Sequence, residues 1–211
     1  MSSSGRSIAL TSLVFLAALA VVAAIVFVGG RPAAAATFTV TKTADTADGA
    51  CTPSDCSLRE AIVAANATGA ADSITLPVGT YNLPIPGAGE AAAATGDLDI
   101  TNTLTISIAG AGSTTINGGG LDRVFHVVSG TVSISGVTIT NGSTGGDGGG
   151  GIYSAGVLAL TDSTVSGNTA TGGSFGGGIR SGGGTLTLTN SMVNETTAGG
   201  GGGGIVNFGG A

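Results

Sequence analysis

Apolar and polar residues alternate with a period of two through most of this chain. Phe38-Thr39-Val40-Thr41, Ile74-Thr75-Leu76 and Val78 to Leu83 each read as a short strand with one face turned to a core. Further along, Leu104, Ile106 and Ile108 set a pattern that Val132, Ile134 and Ile139 take up again. Leu158, Leu160 and Val165 repeat it, then Leu186, Leu188 and Val193. Between these strands three segments align without gaps: NGSTGGDGGGGI from Asn141 to Ile152, NTATGGSFGGGI from Asn168 to Ile179, and NETTAGGGGGGI from Asn194 to Ile205. The asparagines are 27 and then 26 residues apart, with threonine in the fourth column at Thr144, Thr171 and Thr197.

A period in the twenties with two or three short strands per unit is the signature of a solenoid, and no helical stripe recurs with it. The predicted fold is all-β, a parallel β-helix in which equivalent residues stack about 4.8 Å apart from coil to coil. Leu, Ile and Val then form interior ladders, with Ile152, Ile179 and Ile205 in one column. The asparagine column is expected to form a hydrogen-bond ladder at a turn. The glycine runs supply the corners, and Gly199 to Gly204 is expected to be mobile. The chain ends at Ala211 just into a further coil, which reads as part of a longer stack.

One stretch keeps a different period. Leu58, Ala61, Ile62 and Ala65 fall at i, i+3, i+4 and i+7, an apolar helical stripe. Ser57 and Glu60 form a capping box in front of it, and Asn66 and Gly69 end it. About ten residues of helix are too few to stand alone in water, so the helix must cap the open end of the solenoid. Glu60 is read as a cap residue and Arg59 as solvated. Asp45, Asp48 and Asp55 read as solvated turn residues, since their spacing does not fit a calcium loop. The loop from Pro84 through Ala91 to Ala94 is expected to be the least structured part of the exported chain.

Cys51 and Cys56 are the only cysteines. Behind an export signal such a pair is expected to be a disulfide, whereas zinc needs four ligands and the single His126 is far away in sequence. Cys51, Cys56-Ser57-Leu58-Arg59-Glu60-Ala61 and the following Ala71 to Tyr81 resemble the N-terminal CSLREA domain of bacterial exported proteins. The resemblance covers roughly residues 37 to 141. It implies an extracellular protein that continues as a right-handed parallel β-helix, and it implies no particular reaction. The motif Val165-Ser166-Gly167-Asn168, with Gly176-Gly177-Gly178-Ile179, also resembles the repeats of polymorphic outer-membrane adhesins, with valine where those favour phenylalanine.

Ile8 to Val28 is an uncharged apolar run behind Arg6, broken by Gly29-Gly30-Arg31-Pro32. Ala34 and Ala36 fit a signal-cleavage site, with Thr37 as the new N-terminus. The run is also long enough to span a bilayer, so an uncleaved signal-anchor stays open. Either way the rest of the chain lies outside the cytoplasm, at the cell surface or beyond it. The organisation is then an export segment over 1–36, a cap region over 37–95 and β-helix coils over 96–211. Beyond residue 36 stand four basic and all 12 acidic residues, a net charge of −8, with no basic patch. Nucleic acid is excluded as a partner on that ground, and membrane contact is confined to the N-terminal segment.

Charged residues make up only 9% of the chain, so the search for chemistry is short. Glycoside hydrolysis needs paired carboxylates. Asp97 and Asp99 share one strand face, although a rim pair beside the alanine loop explains them as well. A lyase needs an arginine beside carboxylates, which points to Asp122 and Arg123, with His126 nearby. These two read more simply as exposed residues of a turn leading into a strand. Gly145-Gly146-Asp147-Gly148 lacks the repetition of a calcium-binding nonapeptide. Tyr153 and Phe175, placed at turns, are the candidates for contact with a ligand. No metal or cofactor is expected. The leading reading is a non-catalytic surface protein for adhesion, binding of surface glycans or a neighbouring cell, or envelope structure. The alternatives are a polysaccharide lyase or hydrolase of the pectin-lyase-like fold, and a passive stalk for a C-terminal module.

Overall fold

The computed structural model describes residues 33–109 and 113–209. The apolar run from Ile8 to Val28 lies outside the described residues, and among these no helix is long and apolar enough to cross a membrane. From Ala33 onward the chain forms a parallel β-helix. The first sheet has six strands, Thr37–Thr39, Asp72–Pro77, Leu104–Ala109, Thr131–Ser135, Val157–Thr161 and Leu186–Thr189, paired in that order. The second has five, Thr80–Asn82, Thr114–Asn117, Val137–Thr140, Thr164–Ser166 and Met192–Asn194. The third also has five, Leu98–Ile100, Phe125–Val127, Ile152–Ser154, Ile179–Ser181 and Ile205–Asn207. A short sheet of Ser143–Thr144, Thr169–Ala170 and Thr197–Ala198 turns the corner between the second and third. Every neighbouring pair runs parallel, so region 37–95 supplies the opening strands of two of the sheets.

The period-two pattern holds because most strands between the two ends of the stack bury alternate residues. Ile74, Ile106, Ile134, Leu160 and Leu188 form one interior ladder of the first sheet. Tyr81, Ile116, Ile139, Val165 and Val193 line the second, and Leu98, Phe125, Ile152, Ile179 and Ile205 the third. The predicted isoleucine column is therefore present.

The asparagine column is not. Ser143 pairs with Thr169 and Ser166 with Thr140, which sets Asn141 beside Gly167 and Gly142 beside Asn168. Pairing of Thr169 with Thr197 places Glu195 next in the Asn141 column. Asn141, Gly167 and Glu195 all have left-handed backbone, with φ of 53°, 65° and 52°. That shared corner conformation, not the side chain, is what repeats. Asn168 instead turns inward, where its Oδ1 accepts from Gly142 N at 2.8 Å and its Nδ2 donates to Ile139 O at 3.0 Å. Glycine at 142 is required there, since a Cβ would lie 1.9 Å from Gly150 O. The asparagine ladder that does form runs through Asn82, Asn117 and Asn141. Gly203 and Gly204, in the run expected to be mobile, accept backbone hydrogen bonds from Gly178 and Ile179 in the coil before.

The helix Leu58–Thr68 packs on strands Thr37–Thr39, Asp72–Pro77 and Leu98–Ile100 and so covers the N-terminal end of the stack. Ser57 and Glu60 make the full capping box, and Gly69 ends the helix at φ 68°. The Cys51–Cys56 disulfide precedes it. Glu60 is held at about 2. Burial alone would raise it, but amide donation from Ser57 and Asp48 outweighs that and favours the carboxylate.

Arg59 overturns its expected place. It is fully buried, with Nε 2.7 Å from Asp45 Oδ1 and Nη2 3.0 Å from Oδ2. Its remaining donors reach the carbonyls of Ala93, Gly96 and Asp97 at 3.0, 2.8 and 3.3 Å. Asp45 is thus an ion-pair partner, not a solvated turn residue, while Asp48 and Asp55 stay exposed around Lys42. The alanine loop is likewise organised: Ala93 is buried with left-handed backbone, its carbonyl on Arg59 and its amide on Asp99.

Candidate functional site on the third sheet

Where Leu98, Phe125, Ile152 and Ile179 point in, the next residue of each strand points out. Pair by pair, the register lines up Asp99, His126, Tyr153 and Arg180, followed by Val206. Asp99 Oδ1 lies 2.8 Å from His126 Nδ1. The His126 ring stacks on Tyr153 with centroids 5.2 Å apart and planes 19° off parallel. Arg180 stands 5.0 Å from the Tyr153 ring centre and Arg123 5.5 Å from it, so two guanidinium groups attend one aromatic ring. Arg180 is held in turn by the carbonyl of Asp147 and, at 3.8 Å, by its carboxylate.

The loop before the third sheet closes over this row. Glu90 accepts from the amides of Ala92 and Thr95 at 2.6 and 3.0 Å, and Asp99 Oδ2 accepts from Ala93 N at 3.0 Å. The result is a cleft of about 260 Å³ lined by Glu90, Asp97, Arg123, His126, Asp147 and Tyr153.

Asp97 lies just ahead of strand Leu98–Ile100 and is buried, as is Asp99, so the two are an enclosed pair and not a rim pair. Asp122 and Arg123 are also largely buried, against the exposed placement expected of them, because the loop packs over both. Arg123 Nε lies 2.9 Å from Asp97 Oδ2 without a hydrogen bond between them, and Nε and Nη1 have no other partner. The contact is coulombic attraction with poor donor geometry. Asp97 is pushed up to about 7 by burial, then by the charges of Asp99 and Asp122, with Arg123 and His126 opposing. Burial also raises Asp122, against an amide hydrogen bond and the charge of Arg123.

Asp97, Asp99 and His126 each offer one ligand atom, all within 4.8 Å of one another. Within this group the Arg123 guanidinium already lies beside Asp97 and Asp99 Oδ1 already meets His126 Nδ1, so these ligand atoms are engaged by the chain itself. Tyr153 belongs to a strand and not to a turn, because its ring must take the outward place between His126 and Arg180. Phe175 is exposed and lies apart from the cleft, edge-on to Phe208 at 6.0 Å.

Sequence reasoning weighed Asp97, Asp99, Asp122 and Arg123 but did not join them to Tyr153, and it passed over Glu90 and Arg180. The signal was present. Asp99, His126, Tyr153 and Arg180 follow one another at 27-residue intervals, one coil each. Comparison with protein-family models, curated proteins and solved structures finds no match for the chain.

Proposed function

We propose that the chain is an exported, cell-surface β-helix protein of the CSLREA kind, and that it binds a neutral glycan in the cleft over Tyr153. One observation carries the reading: an aromatic ring set in a cleft whose rim bears both carboxylates and guanidinium groups. A sugar offers an apolar ring face and a belt of hydroxyls. Tyr153 with His126 supplies the flat partner, while Glu90, Asp147 and Arg123 supply acceptors and donors around it. The acidic rim favours a neutral glycan over an anionic one. The parallel β-helix is compatible with this role and does not choose it.

A second reading, glycoside hydrolysis, is favoured by Asp97. A carboxyl that keeps its proton to about 7 next to Asp99 is the division of labour that acid-catalysed glycoside cleavage uses. One experiment separates the two. The exported chain and its Tyr153→Ala variant are incubated with a panel of neutral and acidic polysaccharides, and both retention and new reducing ends are measured. Retention of a neutral glycan, lost in Tyr153→Ala without new ends, is the expected outcome. New ends that vanish in Asp97→Asn replace binding with hydrolysis. Neither retention nor cleavage overturns both.

A further inference from the structure

The first sheet carries a surface that the cleft does not use. Its outward residues form two ranks. One runs Thr37, Ser73, Thr105, Ser133, Ala159, Thr187. Two residues along each strand, the other runs Thr39, Thr75, Ser107, Ser135, Thr161, Thr189. Its neighbours are fixed by the same pairings, the step from Ser107 to Ser135 being the register of Ile106 with Ile134 carried on by one residue. Eleven of the twelve positions bear a hydroxyl and none bears a charge or an aromatic ring. All twelve are partly or fully exposed. Asp72, in one of these strands, is buried and turned to Ala36 and Thr68.

Among the described residues, the hydroxyls of Thr37 and Ser73 bond each other at 2.9 Å, and the other side-chain hydroxyls of the two ranks have no partner within the chain. They therefore present free donors and acceptors to water. Strand spacing sets them about 4.8 Å apart along a rank, and two residues of strand set the ranks about 6.6 Å apart. These repeats are on the order of the oxygen spacings on faces of hexagonal ice. Seven of the twelve positions are threonine, which adds a methyl beside its hydroxyl, so the surface mixes apolar and polar groups. With no ion on it, there is no tightly held hydration shell to strip before a lattice of water can settle.

We propose that this outward face of the first sheet binds the surface of ice. The absence of aromatic rings from the ranks separates it from the sugar-binding chemistry of the third sheet. An unbroken six-strand register is what a crystalline partner needs and a flexible one does not.

The test uses the full exported chain, fluorescently labelled, and measures its uptake into a slowly growing ice hemisphere together with thermal hysteresis of the solution. The double variant Thr105→Lys, Thr161→Lys places two charges on the face. Thr138→Lys places one on the second sheet as a control, and circular dichroism checks that each variant keeps its β structure. The expected result is uptake and hysteresis for the native chain and for Thr138→Lys, with both lost in the double variant. Exclusion of the native chain from ice overturns the proposal. So does equal uptake of the double variant, and so does retention on a crystalline polysaccharide by this face without any uptake into ice.

Discussion

On the first sheet the two outward ranks are threonines and serines apart from Ala159, whereas on the third the outward row is Asp99, His126, Tyr153 and Arg180, followed by Val206. Both faces stand on the same parallel backbone over interior ladders of the same kind. The difference lies in what covers them. The loop from Pro84 to Asp97 folds over the third sheet and removes its carboxylates from water, so each must find a partner or keep its proton. The ranks of the first sheet stay partly or fully exposed, with only the Cys51–Pro53 segment beside Thr37 and Thr39, and uncharged hydroxyls satisfied by water suffice there. Between these two faces, buried charge marks where a second segment closes on the β-helix, and hydroxyls mark where it stays open.

The largest expected effect comes from undoing that closure. Arg59→Ala leaves Asp45, 2% exposed at its side chain, without its cation, and frees three loop carbonyls. A loss of about 3–5 kcal/mol is expected in urea unfolding. A loss near that of an exposed pair, below about 1 kcal/mol, breaks the comparison.

Next is the pH dependence of the third sheet. Folded Asp97 holds its proton to about 7, well above its ordinary 3.8. Between those values the folded state binds more protons than the unfolded one, so stability falls as pH rises through this window and levels off above it. Asp97→Asn should flatten that slope in chemical denaturation curves taken at stepped pH. An unchanged slope assigns the proton to another group, such as Asp122. Glu60 has the opposite sign: held at about 2, it contributes stability above 4.5 that fades only as pH falls toward 2. The two effects occupy separate windows and can be read separately.

The smallest effect belongs to the first sheet. Thr105→Ala should change stability by no more than about 0.5 kcal/mol, as for other exposed positions. Its neighbour Ile106, fully buried, should cost about 2–5 kcal/mol as Ile106→Ala. A large cost at Thr105 would mean that the hydroxyl ranks hold the fold together instead of facing a ligand.

The amino-acid sequence by itself determined the solenoid, the inward ladders, the capping helix with its Ser57–Glu60 box and the Cys51–Cys56 pair. All of these rest on period, on spacing within one coil, or on neighbours a few residues apart. It placed the corner asparagines one position out, because coils differ by a residue or two between equivalent strands, and only strand pairing shows which side absorbs the difference. Tertiary structure alone decided the fate of Arg59, whose partners lie 14 to 38 residues away, and the burial of Asp97, Asp99, Asp122 and Arg123. Burial of a charge depends on which loop folds over it, and a local pattern carries no record of that. The row from Asp99 to Arg180 stands between the two cases: its 27-residue spacing was written in the chain, but it became a site only when the pleat turned all four side chains to one face.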